Sequence, residues 1–269
     1  MSNFLKKTRA VLESKLKGIH IPDTREVIIG RIYQAVLLEG TMGVGYAPRK
    51  ATATCTVFKE PGELHQTSAT DLADMVLSDD SLERAVGLAG VNALSQLIIA
   101  SKHEDYHRST DLDTLKYLPL KKDSKVGMVG RIGPFISFLA KNSAGVTIID
   151  DTPALTEGSL GKNVKLSRKI EDVEDSDILI ITGSTVIEHS LIEPLKAASN
   201  AVFRMVVGPT ASWIPDVAFQ LGIDAVSGMT FIDIEKAFRS IMEGGGTRYF
   251  SKYAEKYTIT AKELPNCNS

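Results

Sequence analysis

The sequence predicts an α/β protein in two parts, an α+β segment followed by a doubly wound parallel sheet. Two features predict it: strand-like runs come before helices over residues 1–105, and strand and helix alternate strictly from Lys125 onward. Parallel strands need crossover connections, and crossover helices cover both faces of the sheet. With 269 residues, 43% of them hydrophobic, the chain has enough apolar surface for a separate core in each part.

The first part opens with MSNFLKKTRAVLESKLKG, in which Phe4, Leu5, Val11, Leu12 and Leu16 form one helical stripe. It lacks the uninterrupted apolar run of a signal peptide, so it reads as a packed surface helix. REVIIGR, IYQAVLLE and TMGVGYAP follow as strands, with ATATCTVF as a further piece. A helix starts near Thr70, and a second, AVGLAGVNALSQLIIAS, runs from Ala85 to Ser101. Asn92, Ser95 and Gln96 interrupt it, and it is short for a bilayer, so it reads as a buried helix. Its Gly87 and Gly90 let another element come close. The polar residues 106–124 join this part to the second, residues 125–269.

The second part reads KVGMVG, a helix from Pro134, GVTIID, a short NVKLS, a helix near Arg168, DILIITG and a helix from Ser184. AVFRMVV, a helix near Ile214, DAVSGM and a helix from Asp233 complete it, and Gly244, Gly245 and Gly246 stop that helix before a last one from about Thr247. The succession is Rossmann-like.

Composition narrows the function. The formal net charge is -2, with acidic and basic residues spread evenly, so no face invites nucleic acid or a membrane surface. Cys55 and Cys267 are the only cysteines, which offers no disulfide framework or thiolate cluster and suits a reducing cytoplasm. A symmetric homodimer is the commonest default for such a chain.

Several stretches carry candidate chemistry. Residues 103–107, HEDYH, spell the HExxH of zinc hydrolases, which needs both histidines on one helix face. Here the apolar pattern has already ended at Ile99 and Ala100 and no third ligand follows, so a solvated linker is the better reading. In KVGMVGRIGPFISFLAKNSAGVTIIDD, Gly130 and Gly133 form a turn after a strand, and Asp150 and Asp151 end the next strand. Dinucleotide folds place glycines and a ribose-binding acid in this way, but the spacing is G-x-x-G, and Pro134 removes a donor. Gly133 equally serves close packing of helix on strand, and Arg131 stands where it would clamp a carboxylate or phosphate. Thr182, Gly183, Ser184 and Thr185, then Gly208, Pro209, Thr210 and Ser212, end two further strands, where amides and hydroxyls suit an anion and also serve as helix caps. His189 reads as packed or solvated and Trp213 as core or lid. Glu188 and His189 point different ways from adjacent positions, so no catalytic acid or base is assigned.

TMGVGYAP and AGVNALSQ, together with DILIITGSTVIEHSLIEPL, VVGPTASWIPD and GIDAVSGM, resemble a bacterial and archaeal family named "putative heavy-metal chelation" proteins, long filed as domains of unknown function. The resemblance implies an enolase-N-terminal-like α+β domain, a Rossmann-like domain and an active site in the cleft between them, with no settled reaction. Carried onto this chain, it implies Gly43, Gly45, Tyr46, Asn92, Thr182, Gly183, Ser184, Thr185, Gly208 and Pro209. The leading expectation is a protein that binds an anionic or metal-chelating small molecule in that cleft, with or without turnover. Soft metals prefer thiolate and imidazole, so a metal would arrive inside an organic chelate. A Rossmann oxidoreductase using NAD or flavin, and a sensing module that closes over its ligand without chemistry, are the alternatives.

Overall fold

A computed structural model describes residues 3–48, 58, 61–110, 114–152, 155, 160–188 and 191–261. The ATATCTVF segment up to Val57, both cysteines and His189 lie outside the described residues.

Helix α1 (Asn3–Leu16) leads into a three-stranded antiparallel sheet of β1 (Thr24–Ile29), β2 (Tyr33–Leu38) and β3 (Thr41–Tyr46), paired in sequence order. Helix α2 (Ala69–Asp74), capped by the Ser68 hydroxyl, precedes α3 (Ser81–Ser101), whose first turn is capped by Asp80 accepting from Leu82 N at 2.8 Å and Glu83 N at 2.9 Å. By length and composition α3 could cross a membrane, yet 83% of its most apolar window is buried inside the protein. Three glycines make that burial possible. A Cβ on Gly43 or Gly45 of β3 would overlap the Ala89 or Ala85 carbonyl of α3, and one on Gly87 would overlap the backbone at Val76. Strand, helix and the turn after α2 therefore stack backbone to backbone.

Among the described residues the large sheet has eight strands. Its six parallel members are β5 (Lys125–Val129), β6 (Gly145–Ile149), β7 (Val164–Ser167), β8 (Ile178–Thr182), β9 (Phe203–Val207) and β10 (Ala225–Phe231), in the order β7-β6-β5-β8-β9-β10. That is the doubly wound order, with the direction of winding reversing between β5 and β8. Beyond β10 the sheet turns antiparallel through β11 (Ala254–Thr260) and β4 (His107–Ser109). Thus the joining stretch 106–124 supplies a strand, and the last helix expected from Thr247 is a single turn, α8 (Thr247–Phe250), followed by β11. The remaining helices are α4 (Gly133–Asn142), α5 (Ile192–Ala197), α6 (Asp216–Gln220) and α7 (Ile234–Met242). Near Arg168 and Ser184 the expected helices are 3-10 turns, Ile170–Val173 and Gly183–Glu188.

The cores are not separate. On one face of the sheet Met128, Ile148, Ile180 and Met205 pack against Ile136 and Leu139 of α4. On the other, Leu179, Ile181, Val206, Val226 and Ile259 share one continuous cluster with Phe4 and Leu12 of α1, Leu88 and Leu94 of α3, and Trp213. The N-terminal helices thus do for this face what crossover helices do in a standard doubly wound domain. The outer face of the small sheet is covered in turn by Phe231, Phe238, Ile241 and Phe250.

Candidate functional site

The connections that follow β5 and β8 run to opposite sides of the sheet, and a crevice opens between them. It forms a cavity of about 420 Å³. Gly130 enters it from β5, Asp150 and Asp151 from β6, Arg168 from beyond β7, and Ser184, Thr185 and Glu188 from beyond β8. Glu193 of α5 completes the polar wall, and Tyr46, Ala47 and Pro48, at the end of the small sheet, form the opposite side. Val129, Ile149, Ile170, Ile187 and Pro194 supply apolar surface between these groups.

Local chemistry fixes each part. Gly130 has φ +77, and a Cβ there would also overlap the Thr182 side chain, so both backbone and neighbour demand glycine. Its amide donates to Ile149 O at 2.8 Å, and the Asp150 carboxylate accepts from Arg131 N at 3.0 Å and Thr152 N at 2.9 Å. Asp150 therefore braces the turn between β5 and α4. On the other wall, the Thr182 and Ser184 hydroxyls bond each other, Ser184 N donates to Thr182 Oγ1, and Thr185 Oγ1 donates to Thr182 O at 2.8 Å.

Arg84, at the head of α3, holds the same wall from behind. Its Nε donates to Ile187 O at 2.7 Å, and Nη1 donates to Ser78 O at 2.8 Å and Asp79 O at 2.9 Å. Burial lowers the pKa of this guanidinium, while Glu188, Asp80 and Asp79 favour its charge.

Of the residues singled out in the sequence, Tyr46, Gly130, Asp150, Asp151, Ser184, Thr185 and Glu188 meet in this cavity. The others are elsewhere. Gly43 and Gly45 are packing glycines, and Gly183 lets the backbone pass against Ala211. Asn92 is fully buried, donating from Nδ2 to Val44 O at 2.7 Å and Thr210 O at 3.0 Å. Pro209 is buried beside it, after Gly208 at φ +126. Thr182 serves through its hydrogen bonds. Arg131 and Gly133 are exposed and do not line the cavity, and a Cβ on Gly133 would touch nothing within 4 Å, so this glycine permits no close packing either.

The AGVNALSQ and VVGPTASWIPD stretches turn out to be two halves of one buried polar seam. Gln96 Nε2 donates to Ser212 O at 2.9 Å and to the Tyr257 hydroxyl at 3.1 Å, Gln96 Oε1 accepts from Thr230 Oγ1 at 2.7 Å, and Ile214 N donates to Ser95 Oγ at 3.1 Å. These residues fasten α3 to the large sheet. Trp213 is core, 1% exposed and edge-on to Phe4.

HEDYH gives no helical metal face: His103 to Asp105 form a 3-10 turn and His107 begins β4. Tyr106 between them donates to Asp216 Oδ2 at 3.0 Å, and burial pushes its phenol pKa up. Among the described residues no three His, Cys, Asp or Glu side chains converge to hold an ion. The donors in the cavity are carboxylates and hydroxyls, which do not suit a bare soft metal ion. Carboxylates also outnumber cations there, Asp150, Asp151, Glu188 and Glu193 against Arg168, so the lining does not suit a simple anion.

Arg168, Glu193 and Arg84 were not singled out from the sequence. The strand-end rule that found Asp150 reaches Arg168 as well, one residue beyond β7. An arginine placed just before a long uncharged run was the available sign for Arg84.

Two family profiles match the chain, DUF364 over residues 113–260 and DUF4213 over residues 11–95, and both carry the description "Putative heavy-metal chelation". An uncharacterised protein of Methanocaldococcus jannaschii is 25% identical over 192 residues, 70% of each chain. A DUF364 protein of unknown function from Pyrococcus horikoshii has a similar fold, with TM-score 0.72 and 19% identity over 96% of this chain and 100% of that one. One from Desulfitobacterium hafniense gives 0.71 and 21%, over 95% and 98%.

Proposed function

The chain belongs to the DUF364 family, described as "putative heavy-metal chelation" proteins, and from that premise we propose that it binds a small metal-chelating molecule, as the free chelator or its metal complex, in the cavity between β5, β8 and the end of β3. The observation that carries the reading is the position of the cavity. It lies at the reversal point of a doubly wound sheet, where ligands of such folds collect, and both sheets contribute side chains to it. The absence of a convergent ligand set among the described residues favours a metal held by its own chelator over one held by the protein.

Equilibrium dialysis of the chelator-free protein against Ni(II) alone and against its histidine and citrate complexes, read by plasma mass spectrometry, tests this. Nickel retained only with an organic complex supports the reading. Stoichiometric retention of the bare ion, or none in any arm, overturns it.

A second reading, a dinucleotide site, is favoured by the strand order and by Asp150 at the end of β6. Against it, that carboxylate already bonds Arg131 N and Thr152 N. Saturable NADH binding lost in Asp150→Ala would establish it.

A further inference from the structure

Arg168, Glu188 and Glu193 all line the cavity, and none lies within ion-pair distance of another or of any described residue, although Glu188 acts at longer range on the Arg84 guanidinium. Opposite charges in one small cavity ordinarily pair if they can reach each other. Here the fold keeps Arg168 and Glu188 apart. The ends of β7 and β8, with β6 and β5 between them, are three strand spacings or about 14 Å apart, and Arg168 directly follows the first while Glu188 ends the turn after the second. Val129 and Ile149 are the apolar part of the surface between those ends, and Asp150 and Asp151 stand beside them at the end of β6.

A ligand that satisfies this lining needs an anionic group for Arg168, a cationic group for the glutamates, and a short stem between. We propose that the ligand is a zwitterion of the amino-acid class, its carboxylate at Arg168 and its ammonium at Glu188 and Glu193; this rests on reading the cavity as the ligand site. A polycarboxylate or phosphate alone would leave the glutamates facing like charge. A polyamine alone would leave Arg168 facing one. An amine and a carboxylate on the same carbon also form a chelate ring around a metal, so the class is compatible with a metal-bearing ligand.

Thermal-shift screening of the full chain, followed by calorimetry, uses the standard amino acids as the zwitterion arm, citrate as the carboxylate arm and spermidine as the amine arm. Each is run with and without one equivalent of Ni(II). The expected result is concentration-dependent stabilisation by one or more amino acids, none by citrate or spermidine, and about tenfold or greater weakening in each of Arg168→Gln and Glu188→Gln. Citrate or spermidine binding as well as any amino acid, no amino acid binding, or undiminished binding in both variants would each overturn the inference. The nickel arms separate it from the broader reading. An amino acid bound equally without nickel, with nickel never retained, keeps the zwitterion and removes the chelate, whereas nickel citrate bound alone does the reverse.

Discussion

Asn92 and the packing glycines carry more of the structure than their size suggests. Asn92 Nδ2 is the donor to two buried carbonyls, Val44 O and Thr210 O, while its own Oδ1 is buried with no partner among the described residues. Asn92→Ala should strand both carbonyls, at about 1–3 kcal/mol each, and lower the denaturation midpoint clearly in a urea titration. Gly43→Ala should also destabilise, by about 1–3 kcal/mol or more, because the new methyl meets the Ala89 carbonyl of a helix that is itself buried. Gly133→Ala is the contrast: it is exposed and clear of neighbours within 4 Å, so thermal stability should stay level or rise slightly. All three residues stand out in the sequence. Which of them is structural was not legible, because that depends on which strand meets α3, a long-range pairing that no local pattern encodes.

At the scale of elements, legibility follows apolar strength. Helix α3 shows in the sequence as a long uncharged run, and β5, β6, β8 and β9 as apolar ones, and the strand ends led to Gly130, Asp150, Ser184 and Thr185. Strand β7 shows as NVKLS, but Arg168 after it reads as part of a helix rather than as a strand end, which hid it. Strand β11 escaped notice because Glu255 and Lys256 break its first half and it follows a glycine stop. Its Tyr257 and the Tyr33 of β2 make a testable pair. Burial is the chief cause that pushes both phenols up to about 12, against 10 for an ordinary tyrosine. Between those values the folded chain holds protons that the unfolded chain has released. Stability is therefore full below pH 10 and falls as pH rises to 12, by on the order of 2 kcal/mol per tyrosine. Thermal melts across that range should show the loss, with phenolate absorbance from these two rings appearing only as the protein unfolds.

On the whole-molecule scale, the α/β class and the order of its parts were legible, but the sharing of one core was not. Hydrophobic periodicity reports that a face is buried and never against what. The face of the large sheet bearing Leu179, Ile181, Val206 and Ile259 is closed by α1 and α3. Residues 114–261 expressed alone should therefore bind a hydrophobic dye and aggregate, and the intact chain should melt in one calorimetric transition.

This arrangement has a consequence in time. Helix α3 is complete at Ser101, but its partners Leu179, Val206 and Ile259 are made much later. At about 5–20 residues per second, an apolar helix long enough to pass for a membrane span waits roughly ten seconds or more on the ribosome before the surface meant for it exists. The chain's dependence on chaperones should therefore be set by the order of its synthesis, and a circular permutant that makes the large sheet first should need them less.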